Sequence, residues 1–348
     1  MTGEAPVAAS VIIPLYQDAD TIGAVLESLV RQQDAPGFEV IVVDDGSTDD
    51  GAAIAAAAGA QVITQRNAGP AAARNRGAAA ARGDLLLFLD ADCLAAPRWL
   101  ATMTAAFADP GVGAVMGTIR PQNAGVVPVF VQLEVEGRYA RMRASPHSVD
   151  FIAAPNCGIR RSVFLAVGGF DEGLRQAEDV ELAYRLRAGG HRIRFVDGAP
   201  AAHLHQSTWP SFLAAKLRRA VGRAEVLARY PDKAVSDRWT PPALKAQFLL
   251  ALLVPPLLVL AVARSGWFAL GAFACLAGVV LSDRQLIARA AHALAAQRGR
   301  AGAPSLADRA TALAHGTFFL LARAFLLVAA VLTVAGRRLT GTLARGGR

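Results

Sequence analysis

An α/β fold, with a mostly parallel central sheet flanked by helices and followed by apolar helices of membrane-spanning character, is what this sequence predicts. Three observations carry the expectation. Residues 10–120 alternate short apolar runs with Ala-rich helical stretches. The apolar runs lack polar alternation, as strands covered on both faces of a parallel sheet require. The last third of the chain is strongly apolar and interrupted mainly by arginine.

In order, the predicted strands fall at 10–15, 38–43, 61–64, 85–89 and 113–116, with helices at 20–33, 49–58, 70–82 and 97–108 between them. From 120 to 210 the rhythm loosens into loops and short elements. One helix is expected at 178–188, where Val180, Ala183, Tyr184 and Arg187 line one side and Gly189-Gly190 ends it. A second, about 210–229, sets Lys216, Arg218, Arg219 and Arg223 against Phe212, Leu213, Leu217, Val221 and Leu227. Such a basic face suits solvent and a membrane surface or phosphate equally.

A linker at 231–246 contains Pro231 and Pro241-Pro242, and a membrane region at 247–336 holds two to three apolar segments. Segments 247–263 and 267–281 lie near the lower limit of the roughly 17–25 residues that span a bilayer. The short Arg264-Ser265-Gly266 connection makes them a hairpin, and Pro255-Pro256 is expected to kink the first. The loop 283–309, with Arg284, Arg289, Arg298, Arg300 and Arg309, is placed on the cytoplasmic side. A third stretch, 315–335, contains Arg323 and precedes a basic tail at 337–348. Three spans would put that tail outside, against the positive-inside tendency, so a re-entrant or interfacial segment is the competing reading.

The 348 residues allow one large domain plus an accessory region, and 53% hydrophobic content with mean hydropathy +0.34 is high for a purely soluble protein. The net charge of +8 is unevenly spread. Residues 1–235 carry 23 Lys+Arg against 25 Asp+Glu, and 236–348 carry 13 against 3. The positive excess belongs to the apolar tail and points to anionic lipid, not to nucleic acid. Cys93, Cys157 and Cys275 are dispersed and form no disulfide framework or zinc pattern. The polar start 1–5 leads directly into a strand without a leader-like segment, so the first domain is expected to stay in the cytoplasm.

The chemistry concentrates at strand exits. Asp90-Ala91-Asp92 leaves the run Leu85-Leu86-Leu87-Phe88-Leu89, and Asp44-Asp45-Gly46-Ser47 leaves Val42-Val43. Parallel sheets bind ligands beyond the carboxyl ends of their strands. Hard divalent cations, Mg²⁺ or Mn²⁺, prefer carboxylate oxygen and keep positions open for phosphate, so this arrangement suits a metal-bridged nucleotide diphosphate.

The segments Val11-Ile12-Ile13-Pro14-Leu15-Tyr16, Val42 through Asp49, Asn67-Ala68-Gly69-Pro70 through Gly77, and Phe88-Leu89-Asp90-Ala91-Asp92 resemble, in order, the motifs of family 2 glycosyltransferases with the GT-A fold. The resemblance covers about residues 8–230. It implies a catalytic domain at 1–230, with a nucleotide-sugar half to about 118 and an acceptor half at 119–230. It implies a nucleotide-sugar site of Pro14, Tyr16, Asp44, Asp45, Arg74 and Asp90. Arg74, near the start of a helix, is expected to face phosphate. The cation falls to Asp92 and Asp90, completed by His205 or, less favoured, His203; alternation in an extended segment is expected to point both imidazoles to one side.

The acceptor region resembles the family at Pro155-Asn156-Cys157-Gly158, Gly168-Gly169-Phe170-Asp171 and Glu178-Asp179. By that resemblance Asp179 is the general base, with Asn156, Gly158, Glu178 and His203 around the acceptor. The partial positive charge of a helix start is expected to favour an ionised Asp179. The implied function is inverting, metal-dependent transfer of one sugar from a nucleotide-diphosphate donor to a lipid-linked or cell-envelope glycan acceptor. The implied location is the cytoplasmic face of the inner membrane, among membrane lipid. A processive polysaccharide synthase is a rival, weakened because no Gln-x-x-Arg-Trp occurs in the chain. A noncatalytic nucleotide-sugar-binding scaffold is another.

Overall fold

The computed structural model describes residues 7–147, 149–236, 241–300 and 302–340. The start at 1–5, part of the 231–246 linker and most of the basic tail lie outside these residues. The chain divides into two compact units. The first comprises Met1–Gln122 and Tyr139–Leu204, the second Asn123–Arg138 and His205–Arg348. The boundary expected near residue 230 therefore falls inside the second unit.

The first unit is built on one eight-stranded sheet in the order β3-β2-β1-β4-β7-β6-β8-β5. Its strands are β1 (Ala9–Leu15), β2 (Phe38–Asp44), β3 (Gln61–Thr64), β4 (Leu85–Leu89), β5 (Cys93–Ala95), β6 (Val112–Pro121), β7 (Asn156–Arg160) and β8 (Arg192–His203). Only β7 and β5 run against the others. β7 is wedged between β4 and β6, so the strand expected at 113–116 does not neighbour β4 as a simple βαβ rhythm would have it.

The helices α1 (Ala19–Val30), α2 (Gly51–Ala57), α3 (Pro70–Ala80) and α4 (Trp99–Ala105) alternate with the first strands as the pattern predicts. Ile12, Ile13, Ile41, Leu86 and Phe88 are fully buried, as strands sheltered on both faces must be. Gly77 lets α3 approach β1, since a Cβ there would lie 2.5 Å from Ile12 Cγ2. The irregular stretch beyond 120 is more ordered than expected. It forms α5 (Val126–Ala144), β7, α6 (Arg161–Ala166), α7 (Glu178–Ala188) and the twelve-residue β8.

The second unit is helical. α8 (Trp209–Arg229) precedes α9 (Pro231–Ser236), α10 (Pro242–Ala263), α11 (Trp267–Leu281), α12 (Arg284–Gln297) and α13 (Leu306–Leu339). α10 and α13 are long and apolar enough to cross a membrane, both with window hydropathy 2.4; α11 and α12 reach that length only as a pair bent by 50°. α10 continues as helix through Pro255 and Pro256. The expected loop 283–309 is corrected: most of it is α12, whose buried Leu286, Ala290, Ala291 and Leu294 share one face. Leu249, Leu252, Leu258, Val259 and Val262 on α10 are exposed, which suits a lipid environment.

Several polar groups inside this unit are paired with one another. Arg323 of α13 donates through Nη2 to Gln247 Oε1 at 2.7 Å and to Asp283 Oδ2 at 3.1 Å, and Gln247 Nε2 donates to Ser282 Oγ at 2.9 Å. Glu134 of α5 accepts from Lys216 of α8 at 2.5 and 2.8 Å and from Arg138 at 2.8 Å.

Candidate active site

Sheet register collects the chemistry at one edge. Leu15 pairs with Asp44, Leu89 with Asn156, and both Cys93 and Pro121 lie opposite His203. Tyr16, Asp44, Asp45, Asp90, Asp92 and His203 therefore stand where the same-direction strands end. Pro14 is inside β1, one residue from that edge, and Tyr16 is 49% exposed.

Asp92 and His203 are neighbours, with Nε2 3.3 Å from Oδ2. Cys93 completes a group of ligand-type atoms within 4.8 Å of one another. The Cys93 thiol is buried in the sheet core, and burial with the charges of Asp90 and Asp92 raises its pKa well above the ordinary thiol value. A neutral, buried thiol is no ligand for a hard cation, which leaves oxygen from Asp92 and nitrogen from His203. Burial, only partly offset by His203, and the charge of Asp90 raise the Asp92 carboxyl.

Asp18, which sequence reasoning missed, joins this cluster from the loop after β1. Burial and the charges of Asp92, Asp90 and Asp49 push its carboxyl up to about 6. Its signal was available: it leaves the same strand as Tyr16, two residues on. Carboxylates close enough for their charges to raise the Asp18 and Asp92 carboxyls fit a site that a divalent cation would neutralise.

His205 sits apart from the alternation of β8. β8 ends at His203, so the alternation that would align the two imidazoles stops there. His205 is buried, its Nε2 is 2.9 Å from Gln132 Oε1, and its backbone exchanges hydrogen bonds with the Asn123 side chain.

Arg74 does not reach outward to phosphate. At 3% exposure, its Nη2 donates to Asp90 Oδ1 at 2.7 Å and its Nη1 to Glu178 Oε1 at 2.8 Å. Burial alone would lower its pKa; the two carboxylates outweigh burial and raise it, keeping the guanidinium charged. Asp45 is likewise engaged. It accepts from Gln65 Nε2 and from the Ala68 and Gly69 N–H groups, each at 2.8 Å, and so fixes the loop that starts α3. Asp44 accepts from the Ser47 N–H at 2.8 Å, closing the turn after β2.

Asn156 and Gly158, expected near the acceptor, belong instead to the sheet interior. Asn156 is fully buried, accepts from Trp99 Nε1 at 2.8 Å and donates to the Thr118 and Ala199 carbonyls at 2.9 and 3.0 Å. A Cβ on Gly158 would lie 2.5 Å from Leu87 Cδ2, so this glycine serves strand packing.

Asp179 lies in the first turn of α7, after Ala177 in a left-handed conformation with φ 64°. Its Oδ1 accepts from the Val180 N–H at 2.8 Å and its Oδ2 from the Ala154 N–H at 3.2 Å. The expected electrostatic balance is reversed. Burial and the neighbouring Glu178 charge push its carboxyl up to about 7, outweighing the Ala154 and Val180 N–H groups and Arg74. A carboxylate that exchanges a proton near neutrality is suited to general acid–base work.

A mostly parallel sheet with acidic strand exits and an imidazole beside one of them is the arrangement of the GT-A fold. Residues 10–168 match the family model described as glycosyl transferase family 2. The chain is 32% identical over 242 residues to the pre-mycofactocin glycosyltransferase of Mycobacterium tuberculosis, a match covering 64% of this chain and 48% of that protein. It is also 32% identical over 217 residues to the succinoglycan biosynthesis protein ExoU of Rhizobium meliloti, covering 56% of this chain and 61% of the relative. The chain thus spans about half to three fifths of these relatives. Its fold is similar to that of the mannosyltransferase PcManGT from Pyrobaculum calidifontis, solved in complex with GDP-Man and Mn²⁺. That likeness has a TM-score of 0.56 at 22% identity and covers 94% of this chain and 91% of the other.

Proposed function

We propose that this protein is a membrane-attached, inverting glycosyltransferase that moves one sugar from a nucleotide-diphosphate donor to a lipid-linked or cell-envelope glycan acceptor at the cytoplasmic membrane face. The observation that carries the reading is the pairing, within the first unit, of a carboxylate–imidazole group at the strand ends with an aspartate whose proton exchanges near pH 7. The names of the relatives, glycosyl transfer among them, support the reaction class. The exposed apolar length of α10 and α13, with the basic residues of the tail, supports attachment to the bilayer.

Asp92 and His203, with Asp90 and Asp18 nearby, would hold a divalent cation, which when bound supplies charge stabilisation for the departing diphosphate. The exposed Tyr16 ring offers a face for the nucleoside. Asp179 in its ionised form accepts the proton of the acceptor hydroxyl. The freed oxygen attacks the anomeric carbon from the side opposite the nucleotide, and the bond to the phosphate oxygen breaks with its electron pair leaving on the diphosphate. No covalent enzyme intermediate forms.

The test is thermal stabilisation by a panel of nucleoside diphosphates with and without Mn²⁺, combined with turnover of Asp179→Asn. Metal-dependent stabilisation by one nucleotide family, retained in Asp179→Asn while turnover is lost, is the expected result. Stabilisation indifferent to metal would refute the cation assignment. Long polymer from a single acceptor encounter would favour a processive synthase.

A further inference from the structure

We infer that Arg74 is a positioning residue, tying Asp90 at the end of β4 to Glu178 at the start of α7 so that Asp179 is held in register with the donor-side carboxylates. The inference deepens the reading above and rests on Asp179 being the base.

The geometry is that of a tie, not of a ligand-binding arm. Both terminal nitrogens of Arg74 are spent on carboxylates from two elements, at 2.7 and 2.8 Å, and the side chain is 4% exposed. The guanidinium also lies over the Phe170 ring, 5.6 Å from its centroid. A planar fork bridges two carboxylates in fixed directions, which a lysine's single ammonium does not. Its Nε, meanwhile, is buried without a hydrogen-bond partner among the described residues. An arginine kept buried with an unsatisfied nitrogen is a poor device for stability and points to a constraint set by the site.

Neighbouring contacts hold the same segment. Asn75 donates to the Phe170 carbonyl and accepts from its N–H, both at 2.9 Å, so consecutive α3 residues grip both ends of the 170–178 approach to α7. From α7, Arg185 donates to the Gly169 carbonyl at 2.6 Å while paired with Glu181. Ala177 adopts its left-handed backbone immediately before Glu178, a conformation that persists only where surrounding contacts over-determine it.

The test uses the full-length protein with Mn²⁺ and a panel of UDP- and GDP-sugars. It follows nucleoside diphosphate release with water as acceptor in Arg74→Gln, Arg74→Lys, Glu178→Gln and the Arg74→Gln/Glu178→Gln double variant. Displacing the base should lower kcat by ~100-fold or more while donor KM stays within about threefold. The double variant should be no worse than the worse single, because one tie is being cut twice. A raised donor KM with unchanged kcat, or additive losses in the double variant, would overturn the inference. The same cycle read in Tm reports the tie without turnover, and additive Tm losses there would also overturn it. Should Arg74→Gln not fold, Arg74→Lys and Glu178→Gln decide by the same kcat and KM criteria. Full turnover in Asp179→Asn would remove the base reading and with it the purpose assigned to the tie, whereas the Arg74–Glu178 coupling read in Tm stands or falls on its own.

Discussion

His203 Nε2 stands 3.3 Å from Asp92 Oδ2, and His205, two residues later, is held by Gln132 and Asn123 instead. The last ladder position of β8 opposite Cys93 decides this, because it aims the side chain of His203 at the turn that carries Asp92. Asp92→Asn and His203→Ala should each abolish or sharply reduce the Mn²⁺-dependent thermal shift given by nucleoside diphosphate. His205→Ala should keep that shift while lowering Tm, since it removes a buried imidazole and its contact with Gln132 Oε1. Loss of the metal-dependent shift in His205→Ala alone would reverse the assignment.

The carboxyl of Asp179 is raised to about 7 from an ordinary value of 3.8, with burial and Glu178 as the main causes. Turnover should therefore rise with pH through an apparent pKa near 7. For stability the sign is the reverse of the usual carboxylate case. Between about pH 4 and 7 the folded state binds more protons than the unfolded state, so raising pH over that window removes stability. Asp179→Asn lacks this titration, and its Tm relative to the native protein should climb as pH goes from 5 to 8. A difference in Tm that is flat with pH would rule out the raised carboxyl.

The sheet interior makes a prediction free of catalysis. Asn156→Ala strands the Trp99 indole N–H and two carbonyls in a buried position, at a cost of about 3 kcal/mol. Gly158→Ala forces a methyl against Leu87 and Val115 and should cost about 1–3 kcal/mol. Both appear as lowered Tm, and whatever folds should retain its donor KM. A selective rise in KM with native Tm would return these residues to the binding site.

Glu134 is held well below the ordinary carboxylate range because Lys216, Arg138 and Arg323 outweigh its burial. Glu134→Gln removes the carboxylate to which Lys216 and Arg138 both donate, and should destabilise the protein in detergent by about 3 kcal/mol. The loss should persist at high salt, because a buried pair is poorly screened. A change within about 1 kcal/mol, the range typical of exposed pairs, would show that water reaches the cluster.

Periodicity made the first half of the fold legible. The runs at β1 through β4 and the helices between them are local patterns, and strand exits name their own carboxylates. The second half hid because its order is non-local: β7 is defined by antiparallel pairing with Leu85–Leu89, and β8 by partners more than seventy residues away in β6. Resemblance named Arg74 and Asp179 as site residues, and neither composition nor spacing could say which way Arg74 turns.

What the sequence by itself determined is the α/β class, the acidic strand exits and the apolar, arginine-bounded C-terminal region, since each follows from local pattern and bulk hydrophobicity. Tertiary structure alone decided that His203 joins Asp92, that Asn156 and Gly158 belong to packing, that Arg74 bridges Asp90 and Glu178, and that Asp179 titrates near neutrality. Those outcomes depend on burial and on which charges meet across distant segments, and the strength of an electrostatic interaction is fixed by distance and solvent exclusion, neither of which is written in residue order.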